Sequence, residues 1–297
     1  MFTGLCAFPL TPMRNNEVDS RALRKVGKRV QLLIPITMLV LGILGSTGSY
    51  AYLSREQRKM VVLAAKQHAQ GVPMMVGIGA MATDMILRLA EDAQQAGADA
   101  VLLPVLNYQP LTDDEVFTLF QTVNRHVSLP ICIYDNPRTT HRAFSDALVE
   151  RIASLSNIAS IKIPGLPEDQ AGVRVATLRQ RLPQRVSIGV SGDAFAAAGL
   201  NGGCNLWDSV CAGLFPQIAQ NITAAALSGE RQQASALSER LEPLWALFRQ
   251  HGSLKVIAAA ASILELAEVE CLPRPLAPLS AEAINDVKSV MDKLDLR

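Results

Sequence analysis

The sequence predicts a (β/α)8 barrel with a C-terminal helical extension, and three observations carry that prediction. Short, unbroken apolar runs recur along most of the chain, and amphipathic helical segments lie between them. The runs are continuous, not alternating, as expected for parallel strands buried on both faces. The third observation is where the pattern stops: after Leu227, at Ser228-Gly229, strands no longer occur and only helical segments follow.

The strand candidates are Gly4–Phe8, Met38–Leu44, Pro73–Ile78, Ala100–Leu103, Pro130–Tyr134, Ile158–Ile163, Val186–Val190 and Cys204–Trp207. Between them, Ser54–Ala69 opens with a serine cap and has Gln57 three residues on, the pattern of a capping box. Thr83–Ala96 ends at Gly97, a residue suited to a helix C-terminus. Thr112–His126 starts Thr-Asp-Asp-Glu, which complements the helix dipole. Eight strands alternating with helices over about 230 residues fit a closed barrel. A doubly wound sheet is the runner-up, but it lacks its glycine fingerprint, since Gly77-Ile-Gly79 has no third glycine. The tail reads as helices Glu230–His251, Leu254–Leu266 and Ser280–Leu294, with Leu272-Pro-Arg-Pro-Leu-Ala-Pro278 as a rigid connector. The expected division is a catalytic barrel over 1–228 and a helical extension over 229–297.

Composition narrows the function. Of 297 residues, 49% are hydrophobic and 19% charged, enough for a large core. The net charge of +1 gives no electrostatic case for nucleic acid or an anionic membrane. The greasiest run, Val30 to Leu44, contains Pro35 and is shorter than the roughly 20 residues of a membrane span. It reads as a helix end followed by a buried strand. Cys6, Cys132, Cys204, Cys211 and Cys271 form no C-x-x-C pair and read as reduced residues of a cytoplasmic protein. No His/Asp/Glu cluster has metal-ligand spacing, so no catalytic metal is expected.

The chemistry centres on Lys162, inside the apolar run Asn157-Ile-Ala-Ser-Ile-Lys-Ile-Pro164. A buried lysine either finds a partner or loses its proton, and a neutral amine can attack a ketone to form a Schiff base. The bland alternative is a strand-end lysine that snorkels to water. In a barrel the active site lies at the C-terminal ends of the strands. Gly45-Ser46-Thr47-Gly48 ends strand two there, Tyr134 ends strand five and Lys162 ends strand six. The glycine-flanked turn can offer backbone N–H groups and two hydroxyls to a carboxylate, and Tyr134 can move protons at a carbonyl oxygen. His141, seven residues after Tyr134, is a further pocket candidate; His68, His126 and His251 read as structural.

These segments resemble the dihydrodipicolinate synthase / N-acetylneuraminate lyase family of pyruvate-dependent class I aldolases, over about residues 2 to 228. The family's Gly-Thr-Thr-Gly-Glu loop is similar to Gly45-Ser-Thr-Gly-Ser49, its Tyr-Asn-x-Pro to Tyr134-Asp-Asn-Pro137 and its Gly-x-Lys strand to Ser160-Ile-Lys162. Ser191-Gly-Asp193 and Gly97-Ala-Asp99 match two further motifs. The resemblance implies a 2-oxo acid held as an imine on Lys162, with no other cofactor. It assigns catalysis to Lys162, Tyr134 and Thr47, and substrate contacts to Ser46, Thr47 and Gly48; Thr139, Asp208 and Tyr108 are further substrate-contact candidates by their positions. It also implies a homo-oligomer, a tetramer or dimer, in which a neighbour's tyrosine enters the site; Tyr108 is the candidate.

Departures from the family bear on substrate choice. The loop glutamate is Ser49. The arginine expected five residues after the tyrosine is Thr139, with Arg138 one residue early. Asp208 precedes Ser209-Val210 where the family has an apolar residue, and it reads equally well as a pocket carboxylate or as a helix cap. These changes argue against dihydrodipicolinate synthesis itself and toward a neutral polyhydroxy aldehyde as carbonyl partner. Two other readings stay open: a dehydratase or deaminase of a 2-oxo sugar acid, and a non-catalytic paralogue that binds a small carboxylate.

Overall fold

The computed structural model describes residues 2–31 and 39–296. Eight parallel strands close into a barrel: β1 (Gly4–Ala7), β2 (Leu39–Ile43), β3 (Met74–Gly77), β4 (Ala100–Pro104), β5 (Ile131–Tyr134), β6 (Ile158–Pro164), β7 (Ser187–Ser191) and β8 (Leu206–Ser209). Each strand pairs with the next in sequence, and β8 closes on β1. Every strand candidate appears, although Met38 and part of the Val30–Leu44 reading lie outside the described residues. Strand β6 runs to Pro164, so Lys162 sits two residues inside its end instead of on it.

Period-two geometry splits each strand between two cores. One set of side chains, including Phe2, Cys6, Met75, Leu102, Cys132, Tyr134 and Leu206, fills the lumen. The other set, including Ile133, Ile161, Val190 and Trp207, packs outward against the helices. Truncating a fully buried residue of that outer layer, such as Ile161→Ala, would cost about 2–5 kcal/mol. The helix termini follow their caps. Ser54 and Gln57, and Thr112 and Glu115, form reciprocal capping boxes, and Gly97 takes the left-handed φ of 80° that ends the Thr83–Gln95 helix.

The tail departs from expectation at one point. The stretch expected as a single helix over 230–251 is two, Arg231–Arg240 and Glu242–His251. Pro243 falls in the first turn of the second helix, where its missing N–H costs nothing; inside a continuous helix it would break the ladder. Helices Ser253–Ile263 and Ala281–Lys293 follow. Trp245, Val256, Val287 and Met291 of the tail belong to the same apolar cluster as the outer wall of the barrel. Among the described residues no helix is long and apolar enough to cross a membrane.

Candidate active site

Inward-facing residues near the C-terminal ends of β5 to β8, with the loop after β2, form the site. Register brings Lys162 beside Tyr134 on β5 and beside Gly189 on β7. Lys162 is only 6% exposed. Its Nζ lies 3.9 Å from the ring centroid of Phe8 and 4.9 Å from that of Tyr134, so the ammonium rests on two aromatic faces. Phe8 was not anticipated; it follows β1 and is remote in sequence from every motif of the site.

Burial alone would pull the Lys162 ammonium down. The negative potential of Asp208, followed by Tyr134, Cys6 and Cys132, outweighs that pull and holds the group above the ordinary lysine value. Asp208 is 2% exposed, and neither carboxylate oxygen receives an N–H or O–H; the Cys6 thiol lies beside it. Burial pushes its carboxyl up to about 6, against the opposing pull of Lys162. The helix-cap alternative for Asp208 does not hold. The turn after β8 is organised instead by Ser209, whose hydroxyl donates to Asp193 (2.7 Å) and accepts from the Ala212 amide (2.9 Å). The Cys211 amide donates to the same Asp193 oxygen at 3.1 Å, so the Ser-Gly-Asp turn is a structural clasp.

The Tyr134 hydroxyl is held twice. Asn136 Nδ2 donates to it at 2.9 Å, and it shares a 2.9 Å hydrogen bond with Ser46 Oγ. Geometry thus brings Ser46, not Thr47, against the tyrosine; Thr47 is buried in the same turn. Asn136 is a second residue that sequence reasoning missed, although it lies inside the Tyr-Asp-Asn-Pro motif. A phenol that accepts from an amide and exchanges a proton with a hydroxyl beside a lysine can serve a carbonyl oxygen in either direction. Ser49 sits at φ 54° with its hydroxyl buried and unpartnered, where the resembled family carries an acid.

Other candidates lie further off. Arg138 and Thr139 are both exposed on the short helix Pro137–Thr140, and the Thr139 hydroxyl donates to the Asn136 carbonyl at 3.3 Å. His141 is the exposed, left-handed residue that ends this helix. Tyr108 is 88% exposed. Among the described residues no group of three or more His, Cys, Asp or Glu is placed to hold a metal.

Comparison with known proteins agrees with this geometry. Residues 1–294 match the Dihydrodipicolinate synthetase family. A 4-hydroxy-tetrahydrodipicolinate synthase of Nitrobacter hamburgensis is 31% identical over 298 residues, covering 96% of this chain and 95% of the relative. The crystal structure of a dihydrodipicolinate synthase from Agrobacterium tumefaciens superposes with a TM-score of 0.93 at 40% identity, covering 99% and 98% of the two chains. That from Aquifex aeolicus gives 0.90 at 25% identity, covering 99% of each chain. With a buried lysine beside a hydrogen-bonded tyrosine in a (β/α)8 barrel, the chain belongs to the dihydrodipicolinate synthetase family, whose members are lysine-imine, pyruvate-dependent lyases of the aldolase type.

Proposed function

We propose that Lys162 forms the imine with pyruvate, that Tyr134 and Ser46 relay protons to and from the carbonyl carbon's substituents, and that the Ser46-Thr47-Gly48 turn receives the pyruvate carboxylate. The observation that carries this reading is the grouping of Lys162 Nζ, the Tyr134 ring 4.9 Å away and the Ser46–Tyr134 hydrogen bond of 2.9 Å. For the carbonyl partner, the reading favours a neutral polyhydroxy aldehyde. A second carboxylate is best gripped by an arginine fork, and Thr139, which offers only a hydroxyl, already spends it on Asn136. The names of the relatives support a second reading, condensation of pyruvate with aspartate semialdehyde. Tyr108, exposed in the single chain, fits the role of a residue donated to a neighbour in a homo-oligomer.

Borohydride reduction in the presence of pyruvate, followed by peptide mass mapping, is expected to place the adduct on Lys162. A panel of aldehydes then separates the two readings of the partner. Faster turnover with aspartate semialdehyde than with any polyhydroxy aldehyde would establish the second.

A further inference from the structure

Lumen residues of β6, β7 and β8 meet at Gly189. It points inward between Lys162, its register partner on β6, and the lumen side of β8. A Cβ built on Gly189 would lie 2.7 Å from Asp208 Oδ2, so the carboxylate occupies the space that any other residue at 189 would fill. Asp208 pairs in register with Cys6 on β1, two residues before Phe8, whose ring lies against the lysine. Tyr134 is the register partner of Lys162, and Asp208 is that of Ser191, two residues beyond Gly189 on β7. Both carboxylate oxygens are shut off from water and no N–H or O–H donates to them; the Cys6 thiol lies beside them. An isolated buried carboxylate is costly unless something supplies compensating charge. The titratable groups around the pair are Cys6 from β1, Tyr134 and Cys132 from β5, Asp193 after β7 and Cys204 ahead of β8. Lys162 is the one cation among them.

We propose that Asp208 is a positioning residue for Lys162: across the gap left by Gly189, its carboxylate is the counter-charge of the lysine ammonium before reaction and of the protonated imine afterwards. The inference rests on Lys162 forming the imine. Schiff-base formation joins Nζ to the carbonyl carbon and expels the carbonyl oxygen as water. The resulting C=NH⁺ keeps one positive charge in the same place throughout carbon–carbon bond making or breaking. A fixed carboxylate across the Gly189 gap from that nitrogen stabilises the charged state before and after, without touching the substrate. This assignment replaces a substrate-contact role for Asp208, because both its carboxylate oxygens are closed to solvent.

The test is the pH profile of pyruvate adduct formation, measured by borohydride quenching and intact mass, in wild type, Asp208→Asn and Asp208→Ile. The isoleucine variant fills the lumen with an apolar side chain and guards against misfolding by a lone buried amide. Without the carboxylate, the largest influence opposing burial at Lys162 is gone, so its pKa falls. The midpoint for the rate of adduct formation is expected to move to lower pH by about one unit or more, about a tenfold change in free amine below the midpoint. Turnover at saturating pyruvate is expected to drop at least about tenfold, because the iminium has lost its counter-charge. Folded variants with the wild-type midpoint would overturn the proposal. Absence of any adduct in the wild type would instead remove the imine reading on which it stands.

Discussion

The turn after β7 and the end of β8 each bury an aspartate, and the two use their charge differently. Asp193 is surrounded by donors: the Ser209 hydroxyl and the Cys211 amide both point at one oxygen. Burial pushes its carboxyl up while those hydrogen bonds pull it back. Asp208, on the adjacent strand, receives no N–H or O–H, has only the weak Cys6 thiol beside it, and faces a lysine across a glycine. A buried carboxylate with a full set of hydrogen bonds is a structural clasp. One left without them, beside a cation that must react, is electrostatic equipment for that cation.

Removing the cation gives the largest test of this contrast. Lys162→Ala is expected to abolish the pyruvate adduct and turnover completely, whereas Asp193→Asn should still form the adduct, with its pH midpoint moved less than in Asp208→Asn. An equal shift in Asp193→Asn and Asp208→Asn would erase the distinction between the two acids. Next in size, Tyr134→Phe is expected to keep the fold and the adduct site while losing about 10²–10⁴ in rate, the usual share of a positioned acid–base group. Ser46→Ala should lose more of that rate than Thr47→Val, because Ser46 carries the bond to the phenol. Steady-state kinetics with purified variants decides both.

Stability separates the aspartates in the opposite sense. Asp193→Ala leaves the Ser209 hydroxyl and the Cys211 amide without their acceptor inside the protein. We expect a loss of about 1–3 kcal/mol for each group left unpaired, read from denaturant titration. The smallest effect concerns Asp135, an intermediate case in which one carboxylate oxygen lacks a partner. Burial pushes its carboxyl up to about 6, opposed by the Phe144 amide. A carboxyl raised in the folded state favours folding while protonated, so that contribution is lost as pH rises from the unfolded value through about 6. Asp135→Asn, which restores the family's residue, should therefore raise the melting temperature at pH 7 and leave it almost unchanged at acidic pH. Equal shifts at both pH values would show that Asp135 has no buried charge to remove.

Much of the fold was readable because each strand is an unbroken apolar run that announces itself locally, and because helix caps such as Ser54/Gln57 are contained within a few residues. Lys162 and Tyr134 were readable for a related reason: a charged or phenolic residue in such a run violates the pattern. The remainder depends on who meets whom across the lumen. Phe8 follows β1, far in sequence from Gly189 and Asp208 on β7 and β8, and nothing local to Gly189 says that a carboxylate fills its missing side chain. The choice of Ser46 over Thr47 was likewise invisible, since adjacent residues in a turn differ only in direction. The break at Leu241–Pro243 was legible in principle, because a proline belongs in a first turn and not in a helix interior.

All five cysteines are buried, and burial raises every one of their thiols above its ordinary value. They are spread over different layers: Cys6 and Cys132 in the lumen, Cys204 and Cys211 beside β8, and Cys271 in the tail. The native protein should therefore be almost silent to a thiol-reactive dye. Each thiol becomes a clock that starts only when its own layer opens. Labelling order under mild denaturant would show whether the tail peels away before the barrel admits water, with no engineered probe.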